Sequence, residues 1–168
     1  MAKLTDTKVL AMSAMLLALA TLMGFLKVPV NQFIELRFAY LPIASAGFLF
    51  GPGVGAVVGA LSDIMGYLVK PTGPYFPGFT LSSAIAGVIY GFWLYGKPAS
   101  FKRVLGALIT HAVIISFLLN PLWLCLLYGR GFVAVLTARV VKTLIMLPIE
   151  AVMLYTVLKQ TERAAGRR

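Results

Sequence analysis

Two stretches of this sequence run without a charge for longer than a soluble fold tolerates. Val9 to Leu26 covers 18 residues and Val104 to Gly129 covers 26, with His111 counted as neutral. An α-helix crosses the hydrocarbon layer of a bilayer in roughly 20 apolar residues, so both runs read as transmembrane helices. The remainder agrees: 60% of the 168 residues are hydrophobic and 12% are charged, where a soluble domain carries about a quarter charged. No A-x-A-like cleavage site follows the first run, which is therefore read as the first span and not as a removed leader.

Six spans are expected, at about 9–27, 37–51, 53–69, 79–96, 104–128 and 133–158. The second and third are parted only by Gly51-Pro52-Gly53, where proline ends one helix and suits the first turn of the next. Without that break Phe38 to Ser62 would be one span of 25 residues, leaving five. Basic residues test the even number. With the N terminus inside, the inner segments hold nine Lys and Arg and the outer ones four: Lys27, Arg37, Lys70 and Arg130. That bias places both termini in the cytoplasm. The expected fold class is an all-α integral membrane protein, one six-helix domain over residues 1–168. The net charge of +10 follows from this orientation pattern and does not point to nucleic acid.

Between the third and fourth spans lies KPTGPYFPGF, residues 70–79, with three prolines, two glycines and three aromatics. Neither helix nor strand favours that composition. The charge count places it outside, where Tyr75 and Phe76 could act as a lid over a ligand and Lys70 would lie near the rim. Prolines limit the entropy lost on closure.

Small residues mark helix contacts. Gly51, Gly55 and Gly59 run at four-residue spacing, continued by Asp63 and Tyr67, and such rows let helices approach closely in lipid. Ala14 and Ala18 form a similar pair in the first span, suited either to internal packing or to a partner protein.

A charge inside a span costs about 2.5 to 3.5 kcal/mol on insertion scales, so each needs a reason. Asp63, Arg139, Lys142 and Glu150 stand out. The last three share roughly one face of the sixth span, with the cations nearer its outer end and the glutamate about 12 Å further in. Pro148 between them is expected to bend the helix. Either the charges neutralise one another across helices, or they line an outward-facing cavity for an anionic solute with a polar, hydrogen-bonding head. Asn120-Pro121-Leu122-Trp123 adds an amide, a kink and an aromatic plane in the outer half of the fifth span. His111 is read as a packed residue.

The single cysteine, Cys125, excludes a disulfide framework or a cysteine metal site. No phosphate-binding loop, H-E-x-x-H or G-x-S-x-G motif is present. The chain is not expected to hydrolyse ATP, to be an enzyme, or to carry a cofactor of its own.

Three stretches carry a resemblance: IELRFAYLPIASAGFLFGPGVGAVVGALSDIMGYLVKPTGPYFPGFTLSSAIAGVIYG (34–91), LNPLWLCLLYG (119–129) and ARVVKTLIMLPIE (138–150). With the alanine pattern of the first span, they make the chain resemble the S component, the substrate-binding membrane subunit, of energy-coupling-factor vitamin transporters, and specifically the folate family. The resemblance implies a six-helix plasma-membrane protein of a prokaryote. It would bind folate or a reduced folate from outside, and join a transmembrane coupling protein and two ATPase subunits. It implies that Ala14 and Ala18 face the coupling protein, that the outer loops close over the vitamin, and that the subunit topples in the membrane to release it. Where the family commonly reads Asn-Thr-Leu-Trp, this chain has Asn120-Pro121-Leu122-Trp123.

A folate matches the residues read independently. Its flat pterin suits stacking on Trp123, Tyr75 or Phe76, with an amide or carboxylate such as Asn120, Asp63 or Glu150 at its edge. Its dianionic glutamyl tail calls for cations, with Arg139 and Lys142 favoured first and Arg37 next. Alternatives are an S component for another vitamin such as pantothenate or riboflavin, a small membrane enzyme using Asp63 and Glu150, or a structural subunit.

Overall fold

The computed structural model describes residues 6–25, 27–31, 34–69, 75–128, 132–164 and 166; every structural statement below concerns these. Lys70 and Arg130 lie outside them, as does the side chain of Arg37.

Helix α1 (Thr7–Phe25) realises the first apolar run. Next come strands β1 (Lys27–Asn31) and β2 (Ile34–Arg37), an antiparallel hairpin pairing Val28 with Leu36 and Lys27 with Arg37. The register slips between Pro29 and Asn31, where proline has no N–H to give the ladder. The long apolar stretches are helical, as expected, and the hairpin is a short addition between the first two helices. Its second strand, with apolar and charged residues alternating in Ile34-Glu35-Leu36-Arg37, ends on the first residue of the expected 37–51 span, and Phe38 and Ala39 follow as coil and turn.

Helix α2 (Tyr40–Phe50) is therefore only 11 residues long, about 16 Å. Every residue from Leu41 to Phe50 is buried. A helix apolar all round belongs in the interior, and α2 contacts α1, α3, α4 and α7. Gly51 closes it with φ of 99°, its N–H bonded to the Gly47 carbonyl at 3.0 Å. A side chain would be strained in that left-handed conformation. Pro52 then starts α3 (Pro52–Val69), as the Gly-Pro-Gly break predicts.

Helices α3 and α4 (Pro77–Leu94) touch backbone to backbone. A Cβ on Gly55 would stand 2.7 Å from the Gly87 carbonyl oxygen, and one on Gly59 would collide with the Ser83 carbonyl. One on Gly47 would approach the Gly91 nitrogen to 2.8 Å. The row at 51, 55 and 59 is thus an internal seam, and Gly87 and Gly91 supply its other side.

The fifth rod is continuous but changes winding: α5 (Phe101–His111), a π-helical stretch (Ala112–Leu119), and α6 (Asn120–Tyr128). Pro121 lies two residues past the end of the π stretch and is fully buried. Its ring would crowd the carbonyl four residues back in an α-helix, and wider winding makes room. Helix α7 (Phe132–Ala164) runs 33 residues through Pro148, beyond the expected end at 158.

Five helical stretches are long and apolar enough to cross a membrane, Phe101–Leu126 counted as one, and α2 is a shorter apolar helix. The molecule has two ends. One carries the hairpin, Tyr75–Phe76 and the start of α7. The other carries the Gly51–Pro52 turn and the loop after α4, where the Ala99 N–H donates to Glu162 Oε1 of α7 at 3.3 Å.

Candidate ligand-binding site

At the hairpin end, the first turn of α4 organises two clusters. In the first, the Thr80 hydroxyl donates to Asp63 Oδ2 at 2.8 Å. Its one proton is then committed, so the Tyr75 hydroxyl, 2.9 Å away, donates to Thr80. The Tyr67 ring packs against Tyr75 at 5.1 Å and 57°. Asp63 and Tyr67, four residues apart on α3, thus meet Tyr75 and Thr80 from the α4 side.

In the second cluster, the Trp123 indole N–H donates to Ser82 Oγ at 3.0 Å, and Ser82 donates onward to the Gly78 carbonyl at 3.0 Å. Phe76 lies 5.4 Å from Trp123, tilted at 54°, and Phe79 meets Phe76 edge-on at 6.1 Å. A Cβ on Gly78 would stand 2.7 Å from Trp123 Cδ2, so glycine is what lets the indole reach α4. Tyr75 and Phe76, neighbours in sequence, therefore go to different clusters. Asn120 opens α6 one turn before Trp123 and is half-buried.

A third group lies along α7. Arg139 and Lys142 are half-buried and lie three residues apart, with Glu150 eight residues beyond Lys142, further from the hairpin end. The Tyr40 hydroxyl donates to the Glu150 main-chain carbonyl at 3.3 Å, fastening the start of α2 to the middle of α7. On α4, Tyr90 carries His111 stacked on its ring at 5.4 Å and 20°. His111 is thus a packing partner, as read from sequence. Tyr40 and Tyr90 escaped that reading, because a tyrosine in an apolar helix gives no signal of its own.

Chemically, cations precede a carboxylate along one helix, and aromatic planes stand toward the same end as the cations. That suits a planar, hydrogen-bonding molecule with an anionic tail. Among the described residues no group of His, Cys, Asp and Glu is placed to hold a metal ion.

Ala14 and Ala18 lie elsewhere. Both are exposed on α1 and line an open groove of about 400 Å³ with Leu17, Thr21, Leu22 and Met65 of α3.

The family model for the substrate-specific component of ECF transporters matches residues 8–158. The chain belongs to the ECF transporter S-component family. Among its relatives, the folate transporter FolT of Clostridium novyi is 41% identical over 130 residues, 77% of this chain and 76% of that one. FolT of Leuconostoc mesenteroides is 30% identical over 159 residues, 91% of this chain and 85% of that one. The crystal structure of FolT bound with folic acid superposes on this S component with a TM-score of 0.83 at 34% identity, covering 92% of this chain and 95% of that one. These relatives are transporters, in line with the absence of catalytic motifs.

Proposed function

We propose that this S component captures a folate at the outer face of a prokaryotic plasma membrane and delivers it inward with a coupling protein and two ATPase subunits. The observation that carries the reading is the likeness, over nearly the whole chain, to FolT bound with folic acid. In this reading residues 1–168 form one domain of six membrane helices with both termini cytoplasmic, so the hairpin end faces outward. Arg139, Lys142 and Arg37 take the glutamyl carboxylates. Trp123, Tyr75 and Phe76 supply aromatic faces, Tyr75 and Phe76 of the 70–79 segment act as the lid, and Asn120, Asp63 and Glu150 meet polar atoms of the pterin. The groove at Ala14 and Ala18 receives the coupling protein, because small side chains let a partner helix lie close.

The test is a thermal-shift screen of the purified protein against a vitamin panel with folates in several oxidation states. A folate should raise the melting temperature clearly, and protein as isolated should show the ultraviolet absorbance of a pterin. Stabilisation by riboflavin or pantothenate, and by no folate, would overturn the assignment.

A further inference from the structure

Trp123 reaches across from α6 to α4, and what it meets there is specific. Its indole N–H donates to Ser82 Oγ at 3.0 Å. Ser82 is 4% exposed, and its one proton goes back to the Gly78 carbonyl at 3.0 Å. The hydroxyl is therefore fixed as an acceptor, which is what an indole, able only to donate, requires. Ser45 and Thr110 make the same back-bond to the carbonyl four residues earlier. Ser82 adds to it the acceptance of a side chain from another helix. Gly78 supplies the space: a Cβ there would stand 2.7 Å from Trp123 Cδ2 and would collide with Phe76. Phe76 in turn packs on the indole at 5.4 Å. The indole is thus held at its N–H edge and against the α4 backbone, yet it is only half-buried.

We infer that Ser82 is a positioning residue for the ligand site: it sets the angle and depth at which the Trp123 indole meets the ligand's flat ring, without touching the ligand itself. The inference rests on the folate reading above, in which Trp123 supplies an aromatic face. A side chain already held in its bound orientation loses less freedom when the ligand arrives. Stacking also depends on the offset and tilt of the two rings, so an indole released from Ser82 offers a poorer platform.

The experiment is calorimetric binding of folic acid and of a pterin without the glutamyl tail to the full-length protein, as a cycle of Ser82→Ala and Trp123→Phe. Alanine suits a helix interior at least as well as serine, and phenylalanine has no N–H to give. Ser82→Ala should weaken both ligands by about twofold to tenfold in the wild-type background, and have no further effect on Trp123→Phe. Equal weakening in both backgrounds marks a merely structural serine and overturns the inference, as does wild-type affinity in Ser82→Ala. A second measurement is independent of affinity. With Trp93→Phe, Trp123 is the one remaining tryptophan, and its fluorescence anisotropy in the ligand-free protein should fall on Ser82→Ala. Unchanged anisotropy overturns the inference even where Trp123→Phe binds too weakly to measure. A wild-type protein that binds no folate overturns the folate reading and this inference with it, and that failure shows before any variant is made.

Discussion

Thr80 has one hydroxyl proton, and it goes to Asp63. This single donation turns a charge inside an apolar helix into a fixed acceptor and sets the direction of the Tyr75 hydrogen bond. In the proposed site Lys142 has a different task. A cation beside the anionic tail of a folate makes charge-assisted hydrogen bonds, each worth about 1.5–3 kcal/mol. Lys142→Ala should therefore weaken folic acid binding by roughly tenfold or more and leave a tail-less pterin nearly unaffected. Titration calorimetry with the two ligands checks this, and undiminished folic acid affinity removes Lys142 from the site. Phe76 packs on Trp123 while Tyr75 is 44% exposed. Phe76→Ala should then speed ligand dissociation more than Tyr75→Ala, and unchanged rates in both would end the lid assignment. Asp63, Arg139, Lys142 and Glu150 were legible in the sequence because a charge is conspicuous among apolar neighbours. Ser82 was not, since its partner indole is 41 residues away and meets it only once the helices are in place.

At the scale of elements, the α3–α4 seam shows what a glycine row can disclose. The spacing of Gly51, Gly55 and Gly59 located one side of the contact, while Gly87 and Gly91 passed unnoticed in a segment equally rich in alanine. A Cβ on Gly87 would collide with the Gly55 carbonyl, whereas one on Gly53 meets nothing within 4 Å. Gly87→Ala should destabilise the protein by about 1–3 kcal/mol, read as an earlier thermal transition in detergent, with Gly53→Ala close to wild type as the control. The hairpin was missed for a physical reason. Its strands are four and five residues long, too short for alternation to outweigh the helical pattern that follows. The π stretch before Pro121 was equally out of reach, because only the packing of the fifth rod decides how the chain accommodates a proline.

For the whole molecule, the residues proposed to hold the ligand and the alanine groove occupy separate surfaces, so capture and coupling should separate by mutation. Ala14→Trp and Ala18→Trp would fill the groove of about 400 Å³. Folic acid binding should persist at wild-type affinity, while co-purification with the coupling protein and uptake into vesicles holding the full transporter should be lost. If assembly survives both substitutions, the coupling face lies elsewhere. The end-to-end order of the helices was legible because the long apolar runs and the Gly-Pro-Gly break fix it. The shortness of α2 was not, because it depends on how much of the chain between α1 and α3 goes to the hairpin.

That short α2 has an electrical consequence. Ten consecutive buried residues, Leu41 to Phe50, lie between the polar group at Glu150 and the Gly51–Pro52 turn, a plug of about 15 Å free of any charged side chain. Ions have no conductive path through such a layer. A planar bilayer loaded with this subunit alone should stay as resistive as bare lipid, whether or not the pocket is filled. The vitamin would be carried across a membrane whose voltage is never short-circuited by its carrier.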